Sequence, residues 1–278
     1  MLAAGMFGLL VGSFLNVCIY RIPRGDSIVT PRSRCPACGE PIRALDNIPV
    51  LSYLLLRGKC RHCGARISAQ YPVVEALTAA LFVAAVAAFG PTLRGMLAAA
   101  FLCGLVVAGF VDLEHQIIPH DVTLPGIPLG LLGAFLGSPT VIDMIQRFTE
   151  MRPGFLAAFL SGSPPVPDAL IGCLAGAGFV YLIALYCEVI LGREAMGLGD
   201  VNLVAMMGAF LGWRALVVAF FIATVSGSVV SLTLIGQRRR DRREPIPFGP
   251  FLALGGGLAL FLAEALLRWY GGLLGARG

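Results

Sequence analysis

Apolar stretches long enough to cross a bilayer recur along the whole chain, and they leave few folds open to it. Eight are read, at about 2–20, 73–89, 95–111, 121–137, 168–190, 199–213, 215–235 and 248–268. A helix needs about 20 predominantly apolar residues to span the hydrocarbon core, and only helices or closed barrels satisfy every backbone polar group there. Charged residues make up 13% of the 278, against about 25% in a soluble domain. The expected fold is an all-α polytopic membrane protein of about eight transmembrane helices, with a small cytoplasmic domain inserted after the first.

Charge sets the expected orientation. Residues 1–20 carry no basic residue ahead of their apolar run, unlike a cleavable signal peptide, whereas Arg21 and Arg24 follow it. Residues 21–72 hold nine Lys or Arg against three Asp or Glu, and residues 238–243 read RRRDRR. Basic loops stay in the cytoplasm. The N-terminus is therefore expected outside, with residues 21–72, 112–120, 191–198 and 236–247 inside. The arginine run, beside a span, reads as a topology anchor, so membrane lipid is an expected partner and nucleic acid is not. Gly8/Gly12 and Gly172/Gly176 are small-xxx-small pairs suited to close helix packing. The longest outer loop, 138–167, contains VIDMIQRFTEM, which puts Val141, Ile145, Phe148 and Met151 on one helical face. That pattern suits a short helix lying on the outer leaflet.

The first inside loop carries the clearest local motif. Cys35 and Cys38 form one C-x2-C pair and Cys60 and Cys63 a second, 21 residues further on. Two thiolates presented from one tight turn supply half of a tetrahedral zinc site, and the glycine after each pair (Gly39, Gly64) permits the positive φ that the turn needs. Disulfides are disfavoured where thiols are kept reduced, so a structural zinc held by all four cysteines is expected, with His62 to spare. Cys18, Cys103, Cys173 and Cys187 fall in apolar spans and read as small core residues. The domain organisation expected is a first transmembrane helix at 1–20, a tetra-cysteine domain at 21–72 and a transmembrane domain at 73–278.

Two aspartates interrupt the apolar pattern at one expected membrane face. Asp112 stands in GFVDLEHQIIPHDVTLP and Asp200 in EAMGLGDVN, 88 positions apart. An ionised carboxylate in hydrocarbon costs roughly 2.5–3.5 kcal/mol on insertion scales, so each must be paired, solvated or functional. Two carboxylates at one depth meet the requirement of a proton-sharing aspartyl pair, one ionised to activate water and one protonated to polarise a carbonyl. Gly197 and Gly199 would allow a close approach to Asp200. The alternative, that both are plain helix-end charges, stays open on the residues alone. A metal site built from Asp112, His115 and His120 matches no strong ligand spacing, and a proton-coupled transporter would place its carboxylates nearer the midplane, within an inverted repeat.

At these residues the chain resembles the bacterial prepilin peptidases, or type IV leader peptidases, which are GxGD-type aspartyl proteases. GSFLNVCIYRIP at 12–23, the cysteine-bearing segment at 33–78, DLEHQIIP at 112–119, GLGD at 197–200 and PFGPFLALG at 247–255 are similar to that family's motifs, in order. The resemblance implies that Asp112 and Asp200 are the catalytic carboxylates. It also implies that prepilins of type IV pili or pseudopilins of type II secretion are cut on the cytoplasmic side after a glycine, in the bacterial inner membrane. Many members then methylate the new N-terminus with S-adenosylmethionine. No glycine-rich nucleotide loop is legible here, the triplet Gly255–Gly257 lying inside a span. The methyl-donor residues are therefore unassigned, and a peptidase without methylation is the alternative. Asn16, Tyr71 and Glu75 are polar groups flanking the cysteine segment. The chain departs from the family pattern at Arg193 and Ala195, where KEGMG is common, at Asn202, where lysine is frequent, and at His120, where an acid or amide is usual.

Overall fold

The computed structural model describes residues 1–148, 159–160, 162–192, 197–237 and 247–275. The RRRDRR run, Arg193, Ala195 and Met151 lie outside the described residues, as does the side chain of Phe148. Among the described residues there is no strand; the secondary structure is helical apart from two isolated β-bridges. The chain divides into two compact units, Met1–Gly90 and Pro91–Gly278.

The first unit contains α1 (Leu2–Arg21), a one-turn helix α2 (Leu51–Leu55) and α3 (Gln70–Phe89). The Gly8/Gly12 pair does what its spacing predicts. A Cβ on Gly8 would lie 2.7 Å from the Ala79 Cα, and one on Gly12 would lie 2.7 Å from the Glu75 Cα. Helices α1 and α3 therefore touch backbone to backbone, running antiparallel, with Gly12 level with Glu75. Asn16, also in α1, donates from its side-chain amide to the Tyr71 carbonyl at 3.0 Å, closing the same interface one turn further along.

The second unit contains α4 (Leu93–His115), α5 (His120–Leu136), α6 (Pro139–Phe148), α7 (Val166–Leu191), α8 (Leu198–Gly236) and α9 (Gly249–Gly275). Among the described residues, six helices (α1, α3, α4, α7, α8 and α9) are long and apolar enough to cross a membrane, or seven if the bent pair α5–α6 is one span. About eight spans were expected; the two expected at 199–213 and 215–235 fall in one helix, α8, whose backbone is non-helical at Gly212 (φ 74°, ψ 166°), where two helices join. A straight helix would hold residues 204 and 216 about 18 Å apart. Side-chain atoms of both instead lie within 3.1 Å of where a Cβ on Gly176 would sit. Thus α8 folds back on itself, and α7 packs on both arms through its glycine stripe.

Helix α6 is turned 66° from α5. Ile142 is buried with Leu160 against Leu93, Ile145 and Phe159, and Val141 is buried too. Of the face expected on the outer leaflet, Val141 is thus buried and Ile145 packs against the protein itself. The main core of this unit lies around Phe101, Leu203, Met206, Met207 and Leu252, all almost fully buried.

Candidate functional site

The four cysteines of the first unit converge. Residues 33–42 and 58–67 fold as two copies of one knuckle: Gly39 N–H donates to the Cys35 carbonyl at 2.8 Å and Gly64 N–H to the Cys60 carbonyl at 2.9 Å, with both glycines at φ 72°. Each knuckle is closed by a short bridge, Arg34 with Pro41 and Lys59 with Arg66. The sulfur atoms of Cys35, Cys38, Cys60 and Cys63 all lie within 4.8 Å of one another, and Cys35 and Cys63 approach to 3.9 Å. A tetrahedral site with metal–sulfur bonds of about 2.3 Å has sulfur–sulfur edges of roughly 3.8 Å, so the donor set fits a tetrahedral metal ion. The backbone prepares it as well. N–H groups of Cys63 and His62 hold the Cys60 thiol down at about 6. Cys38 accepts the Glu40 N–H, which favours its thiolate, yet desolvation and the neighbouring Cys35 and Cys63 sulfurs push it up to about 11. Four thiols this close do not all ionise without a cation, and metal binding would release the remaining protons. Arg61, inside the second knuckle, grips Asp46 of the intervening segment with Nε–Oδ2 at 2.9 Å and Nη2–Oδ1 at 2.6 Å, which holds that carboxyl below its usual range.

Both aspartates belong to the second unit. Helix α4 stops just past Asp112 because Gln116 adopts a left-handed conformation (φ 55°) and sends its N–H back to the Asp112 carbonyl at 2.9 Å. Pro119 then starts α5. Phe101 stacks on Phe210 with ring centroids 4.9 Å apart, and Met206 packs over Gly104, so α4 runs antiparallel to the first arm of α8. Carried two turns on, that register sets Asp112 level with Gly199, the residue before Asp200. The segment after Asp112 crosses close over this glycine: a Cβ there would lie 2.9 Å from the Ile118 Cβ.

One oxygen of each carboxylate is tied to backbone. Asp112 is buried, and its Oδ2 accepts the Gly249 N–H at 2.9 Å. This donor opens α9, where helix N–H groups have no intrahelical partner and favour negative charge. A Cβ on Gly249 would lie 2.6 Å from the same oxygen, so only glycine lets α9 begin this close. Asp200 stands in the first turn of α8, and its Oδ2 accepts the Gly197 N–H at 3.2 Å, as in a capping box. The helix-end role considered for Asp200 is therefore real and leaves its second oxygen available. His120 Nδ1 lies 3.0 Å from the Asn202 amide nitrogen, joining the start of α5 to the start of α8.

Among the described residues, the four cysteines form the one group of His, Cys, Asp or Glu close enough to hold a metal. Asp112, His115 and His120 do not form such a group; His115 instead faces Glu114 at 3.8 Å. The triplet Gly255–Gly257 is helix packing, with Gly255 against the backbone of Ala219 and Gly256 against Met207 and Leu105. Sequence reasoning placed both aspartates at one level but gave no role to Gly249, the Asn202–His120 contact or the Arg61–Asp46 clasp. The PFGP run at 247–250 carried the first signal as a motif without a mechanism.

Comparison with known proteins agrees with this architecture. Residues 6–89 match the Bacterial Peptidase A24 N-terminal domain, and residues 99–232 match the Type IV leader peptidase family. A prepilin leader peptidase/N-methyltransferase of Aeromonas salmonicida (strain A449) is 37% identical over 95% of this chain and 91% of its own length. The protein of that name from Myxococcus xanthus (strain DK1622) is 40% identical over 83% of this chain and 62% of its own. The one from Pseudomonas aeruginosa is 32% identical over 95% and 91%. No solved structure matches. A multi-pass helical chain of this length, with both domain matches and relatives this similar along nearly all of it, belongs to the type IV leader peptidase family and is a peptidase.

Proposed function

We propose that Asp112 and Asp200 are the catalytic pair of an intramembrane aspartyl endopeptidase. The observation that carries this reading is their common level at the ends of α4 and α8, each with one oxygen fixed by a backbone N–H, from Gly249 and Gly197. Fixing one oxygen orients the other. The ionised carboxylate takes a proton from water as the water oxygen attacks the scissile carbonyl carbon. The protonated carboxyl donates to the carbonyl oxygen, and the departing amine collects a proton as the C–N bond breaks. The two apparent pKa values belong to the pair, not to either residue.

The substrates are prepilins or type II pseudopilins, as the names of the relatives suggest. Cleavage falls on the cytoplasmic side, after a glycine, in the bacterial inner membrane, with the N-terminus outside. Cys35, Cys38, Cys60 and Cys63 hold a structural zinc that fixes the fold of their loop. A methyl group from S-adenosylmethionine is then transferred to the new N-terminal amine; no residue of this chain is assigned to that donor. Mass spectrometry of the product N-terminus separates this from a peptidase that does not methylate.

The test uses enzyme in liposomes with a prepilin-like substrate. Asp112→Asn and Asp200→Asn should each lower cleavage by about 10²–10⁴-fold, the usual contribution of a positioned acid or base. Both should still methylate a precleaved substrate. A folded variant cleaving at the wild-type rate would refute the aspartyl mechanism.

A further inference from the structure

Helix α2 is short, apolar and uncovered. Leu51, Leu54 and Leu55 are 50%, 64% and 72% exposed, while Ser52 on the opposite side is buried and its hydroxyl donates to the Ile48 carbonyl. The turn is held at both ends by unusual backbone. Val50, which begins it, has φ 61°, a conformation that a β-branched residue adopts only under strain. Arg57 and Gly58, which end it, have φ 52° and 66°, and the Tyr53 ring packs on Gly58. Strain of this kind persists only where the surroundings impose it. Here the agent is Glu75 of α3, whose carboxylate accepts the Val50 N–H at 2.7 Å.

That hydrogen bond fixes the depth of α2. Glu75 is level with Gly12 of α1, and Gly12 lies nine residues before Arg21, the end of the span. Nine residues of helix measure about 13 Å. The Glu75 side chain and the hydrogen bond together recover only part of this length, so Val50 lies on the membrane side of Arg21. Arg21 marks the polar boundary: its guanidinium donates to the carbonyls of Ser27 and Pro31, at 2.7 Å each. The exposed Arg57 and Lys59 follow α2 directly, as headgroup-binding cations follow an inserted apolar turn.

We propose that α2 is a membrane-surface anchor. Leu51, Leu54 and Leu55 enter the boundary between headgroups and acyl chains, and Arg57 and Lys59 contact anionic headgroups. The second cysteine knuckle begins at Gly58, so the anchor holds the metal-ligand cluster against the bilayer. This requires nothing of the aspartates.

The test places tryptophan at position 55 in the full-length protein, with Trp213 and Trp269 replaced by phenylalanine, in vesicles containing phosphatidylglycerol. An interfacial helix buries its apolar face about 5–10 Å below the headgroups. Lipids brominated near the top of the acyl chain should therefore quench Leu55→Trp about twofold or more, while aqueous iodide should not. Glu40→Trp, in the exposed first knuckle, should respond in the opposite way and serves as the control. Reversing both cations (Arg57→Glu with Lys59→Glu) should weaken the lipid quenching. Iodide quenching of Leu55→Trp without lipid quenching overturns the proposal. Protection from both quenchers also overturns it, because another protein surface would then cover α2.

Discussion

The cysteine cluster and the aspartate pair arise in opposite ways. Each knuckle needs only ten consecutive residues, two cysteines and a glycine that can reach φ 72°. The aspartate site exists only after α4, α5, α8 and α9 have packed. Asp112 and the Gly249 that tethers it are 137 positions apart. Local sites of the first kind are written in adjacent letters, whereas sites of the second kind depend on where helices cross.

If that contrast holds, damage to the cysteines should stay local and be large. Structural zinc contributes about 10–16 kcal/mol to the folding of small metal-binding peptides. Cys38→Ser, or stripping the metal with a chelator, should abolish metal binding and expose residues 21–69 to limited proteolysis. Residues 91–278 should keep their resistance; a collapse of both units together would break the comparison.

The next effect tests the other half. Gly249→Ala places a methyl group against the Asp112 carboxylate. A displacement of about 1 Å can cost 10²-fold in rate, so cleavage should fall by about that factor while thermal unfolding and metal content stay near wild type. Unchanged turnover would mean that the start of α9 has no part in positioning Asp112.

Smaller still is the link between His120 and Asn202. A neutral hydrogen bond contributes about 0.5–1.5 kcal/mol, so alanine at either position should slow cleavage by roughly tenfold or less. The double variant should be little worse than either single one, as a double-mutant cycle would reveal. Full additivity would show that the contact does not couple the two aspartate segments.

The least effect belongs to the Arg61 clasp on Asp46. A carboxylate whose folded-state pKa is depressed adds stability above its unfolded value and loses it as pH falls through the folded one. Retention of metal should therefore separate wild type from Asp46→Asn above about pH 4 and converge in stronger acid. Wider separation in acid would reverse the sign and refute the assignment.

What could be read in the letters follows the same division. The spans, the glycine stripes at Gly8/Gly12 and Gly172/Gly176 and the cysteine quartet all depend on neighbours within a turn or two, and all were legible. The common level of Asp112 and Asp200 was legible too, because span counting carries depth information. Gly249 was not, since nothing near it in the chain announces a carboxylate. The break between the stretches expected at 199–213 and 215–235 was legible as well, and Gly212, at a positive φ, is where the two helices join. The face of Val141 and Ile145 was read as lying on the outer leaflet, but periodicity cannot say that Val141 is buried and that Ile145 packs against Ile142 and Leu160.

The fold at Gly212 also makes the barrier itself uneven. The first arm of α8, residues 198–211, is about 21 Å long, against a hydrocarbon core of about 30 Å. Gly172 meets Gly208 and Gly176 meets Val204, so Asp200 stands level with residue 180, and α7 continues to Leu191, about 16 Å further. Lipid beside a helix this short must thin, or water must fill the shortfall. On the proposed aspartyl mechanism, that shortfall beside Asp200 would let water reach the carboxylates without crossing a full oil layer.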